Sequence, residues 1–378
     1  MILDVHCHYC FSRYCAAGIE RFAFEDPHAA PIGSPGAAPL PTDFDSCVSP
    51  RVMRRPAWWL ARRLLGLPAV GPALDAALAE RYRQHLWGPG PIERFVLLAF
   101  DAVLDDAGRV APLPERGNDF GSDIYTSNSL VRDLCRRHPE RFLFGASVHP
   151  YRPGALAAIE AVFRAGACLL KWIPLHHNID LADERTGAAL VRCAELGLPV
   201  LVHMGEEFTL TTQRPEYRPL RTLLPVLERL HRRGSMPTVI VAHAATPVTP
   251  WGETESYRLL LEALRGPFRR APLYADISAL TAVTKRRFLL DLACRQDLHG
   301  RLLFGSDFPV PTGVWAVRGR LGNAYPAIRA CPSWPQQAAL ACRALGFNEI
   351  VFHRAAELLP NLDFFARAAG PTAAAAIG

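Results

Sequence analysis

Apolar and polar residues are distributed along this chain in blocks. From Ile92 onward, short runs of mostly apolar residues recur at Arg94–Phe100, Phe142–Val148, Ala167–Trp172, Pro199–His203, Thr238–His243, Leu273–Ile277 and Arg301–Phe304. Between most of them lie segments with apolar residues at helical spacing: Ser129–His138, Gly154–Ala165, Glu184–Glu195, Pro219–Arg232, Thr254–Leu264 and Thr284–Cys294. Strands that alternate with helices indicate a parallel sheet, whose buried strands read as near-continuous apolar runs. With the N-terminal run Ile2–His8 the count is eight, which predicts an α/β fold in which the sheet closes as a (β/α)8 barrel. Two more helices, Gln336–Leu345 and Glu349–Leu359, are expected after the last strand.

Residues 9–91 break this rhythm and read as a long helical insertion between the first and second strands. The part up to Pro50 is rich in Pro, Gly and Ala and predicts an irregular loop. The part from Val52 to Leu86 is helical in pattern and carries Trp58-Trp59 and several arginines. Such a helix can lie on a membrane surface. The preferred expectation is a lid over the barrel mouth or a subunit contact, the latter giving a homodimer. One domain, 1–365, then holds barrel and insertion, and 366–378, which ends in an alanine run, is expected to be a disordered tail.

Composition narrows the function classes. Half the residues are apolar and 21% are charged, as in an ordinary globular protein. No apolar run reaches the roughly 20 residues that span a bilayer. A cleaved signal peptide would remove the first strand, so the expected location is cytoplasmic. The ten cysteines are scattered through expected strands and helices, which suits buried thiols rather than a disulfide framework. Cys7 and Cys10 are spaced as a C-x-x-C, but no second pair completes a zinc ribbon. The net charge is +6, yet the basic residues are dispersed, so no nucleic-acid partner is expected. Only two of the 42 basic residues are lysines, Lys171 and Lys285.

The chemistry collects where strands end. Alternation along a strand points Asp4, His6 and His8 one way. Further on, His149, Lys171, His203, His243 and Asp307 each follow an apolar run. In a (β/α)8 barrel the strand ends form the working face. One such residue means little, since a lone His at a strand end is usually satisfied by its surroundings. Many imidazoles on one face, without a cation, would leave polar groups poorly satisfied. Trp172, His176, Asn178 and Glu206 lie just beyond strand ends and, with His149, are candidate substrate contacts.

The ordered set Asp4-x-His6-x-His8, Lys171, His203, His243 and Gly305-Ser306-Asp307-x-Pro309 resembles the amidohydrolase superfamily, in its branch of amidohydrolase-related, metal-dependent hydrolases with a TIM-barrel fold. The resemblance implies that His6, His8 and Asp307 bind a divalent metal, most simply zinc. It implies that His203 and His243 either bind a second ion or divide, with His203 completing a one-metal site and His243 orienting the reacting water or the substrate. At the position of Lys171, members with two metals carry a lysine carboxylated to a bridging carbamate. The metal would acidify a water molecule, and Asp307 would take its proton. Asp4 would support the ligands from behind.

The expected function is therefore hydrolysis of a small amide, lactone or ester. The alternative in the same branch is a one-metal, non-oxidative decarboxylase, against which Lys171 speaks. A metal-dependent phosphodiesterase or nuclease ranks lower, because such relatives usually present a glutamate at the fourth strand. A barrel that keeps the ligands only for structure ranks last.

Overall fold

The computed structural model of the protein describes residues 1–12, 46–69, 72–112, 114, 116–117 and 119–368. Its strands, in chain order, are β1 Leu3–His8, β2 Ser46–Val48, β3 Arg94–Leu98, β4 Ile124–Thr126, β5 Phe142–Ala146, β6 Ala167–Trp172, β7 Val200–Val202, β8 Val239–Val241, β9 Leu273–Asp276 and β10 Leu302–Leu303. Eight of them, β1, β3 and β5 to β10, pair with their sequence neighbours in one parallel sheet. Backbone hydrogen bonds bring the last strand back to the first: Val5 N–H donates to Phe304 O (3.1 Å), Asp307 N–H to His6 O (2.7 Å) and His8 N–H to Phe308 O (2.8 Å). These are the eight strands expected from the apolar runs.

Side-chain alternation sorts the sheet into two faces. Leu3, Val5, Val96, Leu98, Leu143, Leu169, Leu201, Ile240 and Leu303 form one buried cluster inside the barrel. Phe95, Leu97, Phe142, Phe144, Leu170, Val200 and Val202 belong to the larger cluster packed against the helices. Burial on both faces is why these strands read as continuous apolar runs. The surrounding helices include Asn128–Arg137, Ala155–Arg164, Glu184–Leu196, Leu224–Arg232, Glu255–Arg265, Arg286–Cys294, Trp334–Ala344 and Ile350–Leu358.

The first strand departs from simple alternation. Asp4 pairs in register with Phe95, Cys7 with Leu97 and His8 with Leu98, so three steps on β1 match two on β3. An extra residue of this kind is a β-bulge, and it reverses the facing of the residues beyond it. Asp4 therefore shares the face of Phe95, while His8 shares that of Leu98. The expectation that Asp4, His6 and His8 point one way does not hold. Instead Asp4 Oδ1 accepts from the backbone N–H of Ser306 (2.9 Å) and His6 (3.1 Å), tying β1 to the exit of β10.

Within the insertion, three helices span Pro50–Met53, Pro56–Leu65 and Pro72–Leu86. Each begins on a proline, which tolerates the first helical position and cannot continue a helix. That is why the single helical pattern resolves into pieces. The short strands β2 and β4 pair antiparallel outside the barrel, with Cys47 opposite Tyr125. Beside them the buried Arg51 Nε donates to Asp123 Oδ1 (2.7 Å), fixing the insertion to the β4 segment. Most of the expected irregular loop lies outside the described residues. So does most of the expected tail 366–378, although the helix Phe364–Ala368 runs past its predicted start. No helix among the described residues is long and apolar enough to cross a membrane. The nine described cysteines are all free.

Phe304, buried at the closing seam against Phe352 (ring centroids 5.5 Å apart), tests the closure. Phe304→Ala should destabilise the fold by about 3–5 kcal/mol, read by denaturant unfolding. A loss below about 1 kcal/mol would mean that the seam is not a structural joint.

Candidate metal centre

The C-terminal ends of the barrel strands face a cavity of about 370 Å³. β1 contributes His6 and His8, β6 contributes Lys171, and the turns after β7, β8 and β10 contribute His203, His243 and Asp307. Two of these turns use unusual backbone. His243, Ala244 and Ala245 all have left-handed φ angles (54°, 49° and 50°), and Asp307 has φ 63°. Side chains with a Cβ rarely adopt this region, so it persists only where surrounding bonds enforce it. At His243 the enforcing bond is its N–H to Asp276 Oδ1 (2.7 Å), and at Asp307 it is the N–H to His6 O (2.7 Å).

The donor atoms of His6, His243 and Asp307 all lie within 4.8 Å of one another. His6 donates through Nδ1 to Asp276 Oδ2 (2.8 Å), which leaves Nε2 facing Asp307 Oδ1 at 3.3 Å. His243 donates through Nδ1 to the Ser278 carbonyl (3.1 Å), which leaves Nε2 4.0 Å from Asp307 Oδ2. His8 Nε2 is 3.0 Å from Asp307 Oδ1, and its buried Nδ1 has no hydrogen-bond partner among the described residues. Lys171 Nζ is 3.0 Å from His6 Nε2. His203 lies slightly apart: its Nε2 is 3.2 Å from Glu206 O and 3.4 Å from Glu207 Oε2, and its ring centroid is 5.1 Å from that of His243.

Burial sets the protonation of this group. It pushes the His6 and His243 imidazoles below their usual range and His203 down to about 4, so all three are neutral at pH 7. It also lowers the Lys171 ammonium to about 8. Burial alone would raise Asp307, but His243, His6 and His8 around it hold the carboxyl well below the ordinary range. Neutral imidazole nitrogens beside a carboxylate are a donor set for a divalent transition metal. Metal-binding histidines typically give their other ring N–H to a carboxylate or carbonyl, as His6 does to Asp276 and His243 to Ser278. The residues present fit such an ion.

The expected site residues therefore divide. His6, His8, Lys171, His203, His243 and Asp307 line one cavity, and so does Glu206. His149, Trp172, His176 and Asn178 do not line it. The His149 ring nitrogens bond to backbone, Nε2 meeting His177 O at 2.7 Å and Nδ1 accepting from Tyr151 N–H, and the ring packs edge-on against Tyr151 (centroids 5.0 Å apart). Trp172 Nε1 donates to Val148 O. His176 bridges Asp123 N–H and Thr211 O. Asn178 donates to Leu104 O and accepts from Arg214. These four brace loops behind the site.

Asp276 was not expected. It ends β9 fully buried and accepts from His6 Nδ1, from the N–H groups of His243 and Ser278, and from Ser278 Oγ. Its only signal in sequence is an acid inside the run Leu-Tyr-Ala-Asp-Ile. The helix Pro56–Leu65 adds Trp58, Leu60 and Leu64 to the cavity wall.

Compared with known proteins, residues 93–321 match the family described as Amidohydrolase. Among curated proteins, none matches the chain by sequence. An uncharacterised TIM-barrel protein from Bordetella bronchiseptica superposes with a TM-score of 0.50 at 15% identity, over 97% of this chain and 99% of that one. A probable 2-pyrone-4,6-dicarboxylic acid hydrolase from Acinetobacter baumannii gives 0.42 at 13% identity, over 90% and 99%. A 2,6-dihydroxybenzoate decarboxylase from Rhizobium gives 0.45 at 12% identity, over 94% and 98%. At such identities the first likeness is one of fold.

Two substitutions test the support behind the ligands. Asp276→Asn should weaken zinc binding by roughly ten- to a hundredfold while the protein stays folded, measured by competition with a chelator. At Gly305 an added Cβ would meet His6 Cβ at 2.8 Å and Ser278 Cβ at 3.0 Å. Gly305→Ala should therefore displace His6 and lower zinc affinity in the same assay. Unchanged affinity in both variants would mean that these neighbours do not hold the cluster.

Proposed function

The chain belongs to the amidohydrolase family, and on that footing we propose that it is a metal-dependent hydrolase of a small amide, lactone or ester. The reading is carried by one observation: the donor atoms of His6, His243 and Asp307 lie within 4.8 Å of one another, and the three residues line one apolar cavity. His6, His243 and Asp307 would hold a divalent cation, with His8, His203 and Lys171 in reach of the same ion or a second one. When bound, such an ion, with zinc the first expectation, supplies Lewis acidity to a scissile carbonyl and to a water molecule.

The chain's own groups then divide the proton work. Asp307 is ionised, and its Oδ1 is occupied by His8 Nε2. That leaves Oδ2 to take a proton from water as the water oxygen bonds to the carbonyl carbon. The same atom returns the proton to the departing nitrogen or oxygen as the carbon–nitrogen or carbon–oxygen bond breaks. Lys171 supports a site with two ions. Its lowered pKa of about 8 provides the neutral amine that can add to carbon dioxide, losing a proton as the N–C bond of a carbamate forms. The insertion helix Pro56–Leu65 excludes water from the mouth with Trp58 and Leu64.

Metal analysis of purified protein tests this reading. About two zinc ions per chain, falling in Lys171→Ala, are the expected result. One tight ion unaffected by that change would shift the reading to the non-oxidative decarboxylase. On a panel of esters, lactones and cyclic amides, Asp307→Asn should lower turnover about a thousandfold without changing the thermal transition. Wild-type activity in that variant would remove Asp307 from the mechanism.

A further inference from the structure

The two lysines of this chain line the same cavity. Lys171 has a partner in His6, whereas Lys285 has none that the mechanism uses. Lys285 ends the turn Val283–Lys285 after the seventh barrel strand. Its side chain is only 7% exposed and lines the cavity with His203, His243 and Asp307. Among the described residues, no carboxylate lies within 4 Å of its ammonium and no acceptor hydrogen-bonds it.

The four acids whose charges reach Lys285 are engaged elsewhere, Asp276 with His6, His243 and Ser278. Glu206 Oε2 accepts from Val248 N–H at 3.0 Å. Glu207 Oε1 accepts from the N–H groups of Thr209 (2.6 Å) and Leu210 (3.1 Å), and its Oε2 faces His203. Asp307 faces His8 and His6. These charges act on Lys285 only from beyond 4 Å, so its ammonium, largely withdrawn from water, has no anion in direct contact, and a ligand that supplies one would complete its surroundings. Every basic residue other than these two is an arginine, so a compact point charge is the exception in this sequence.

We propose that Lys285 is a substrate-binding residue whose ammonium takes a carboxylate carried by an otherwise apolar substrate, beside the cluster of His6, His243 and Asp307. The remaining wall, including Trp58, Leu64, Phe100, Ile173, Phe208 and Val310, accepts the apolar body. The substrate class is thus an ester, lactone or amide that bears both a carboxylate and an aryl or alkyl group. This class rests on the hydrolytic reading above; the anion site itself rests on Lys285 alone.

Benzoate and its neutral isostere benzamide are suitable probes, titrated calorimetrically into wild-type and K285Q protein, each zinc-loaded and chelated. Wild-type protein should prefer benzoate by about tenfold or more in both states. K285Q should lose that preference while its benzamide affinity and zinc content stay unchanged, and K285R should recover part of it. Equal benzoate affinity in K285Q and wild type would overturn the proposal. So would a preference that vanishes from wild-type protein on chelation, since the ion would then be holding the carboxylate. Failure of the wild type to bind zinc, with the Lys285-dependent preference intact, would overturn the hydrolytic reading and leave the anion site standing. A readout that does not depend on folding of K285Q is wild-type protein labelled with ¹³Cε-lysine, which has only two such positions. Benzoate should shift the Lys285 resonance and benzamide should not; no shift with benzoate would refute the proposal.

Discussion

The carboxylate of Asp276 is the fixed point of the site. It is buried, and on its own burial would push it toward the neutral acid. His6 and His243 reverse that and hold it below the ordinary carboxylate range. In return it takes the Nδ1 proton of His6 and the backbone N–H of His243. One charge thus fixes the ring orientation of a residue on the first strand and the unusual backbone of a residue after the sixth. Both imidazoles then present Nε2 to the same space as Asp307. Without Asp276 the His6 ring would lose its carboxylate partner, and the left-handed turn at His243 would lose the hydrogen bond that enforces it.

Around this point the barrel provides convergence rather than chemistry. Parallel strands end on one side, so every strand exit opens onto the same floor. The bulge in β1 and the close approach of Gly305 to His6 adjust that floor by amounts that a regular sheet does not supply. The same apolar surroundings that strip water from the imidazoles leave Lys171 and Lys285 as cations in a poorly solvated place. Each needs an outlet. Lys171 has His6 Nε2 at hydrogen-bond distance, while Lys285 lines the cavity with no carboxylate within 4 Å among the described residues.

Much of this was legible in the amino-acid order, for identifiable reasons. Strands buried on both faces leave continuous apolar runs, so all eight barrel strands could be read, and the polar residue after a run marks a strand exit. Position after a run does not say where the side chain points. His149, Trp172, His176 and Asn178 stand at exits as His203 does, yet their polar atoms meet loop backbone or neighbouring side chains instead of the cavity. Asp276 was illegible because it sits inside its run and meets His6 across 270 positions of sequence. Asp4 was misassigned because the bulge is set by pairing with β3, which leaves no local mark. β2 and β4, at three residues each, are too short to show alternation. The rarity of lysine drew notice to Lys171 and Lys285 alike, but only the cavity shows that they share a destination.

Part of the apolar cavity wall comes from a stretch of chain that contributes none of the clustered donor atoms. Trp58, Leu60 and Leu64 belong to the helix Pro56–Leu65, and that region is moored at its base by Arg51 on Asp123 and by the pairing of β2 with β4. The clustered donor atoms and this part of the cavity wall therefore come from separate stretches of one polypeptide. A substitution in the helix Pro56–Leu65 can thus reshape the cavity without touching His6, His243 or Asp307.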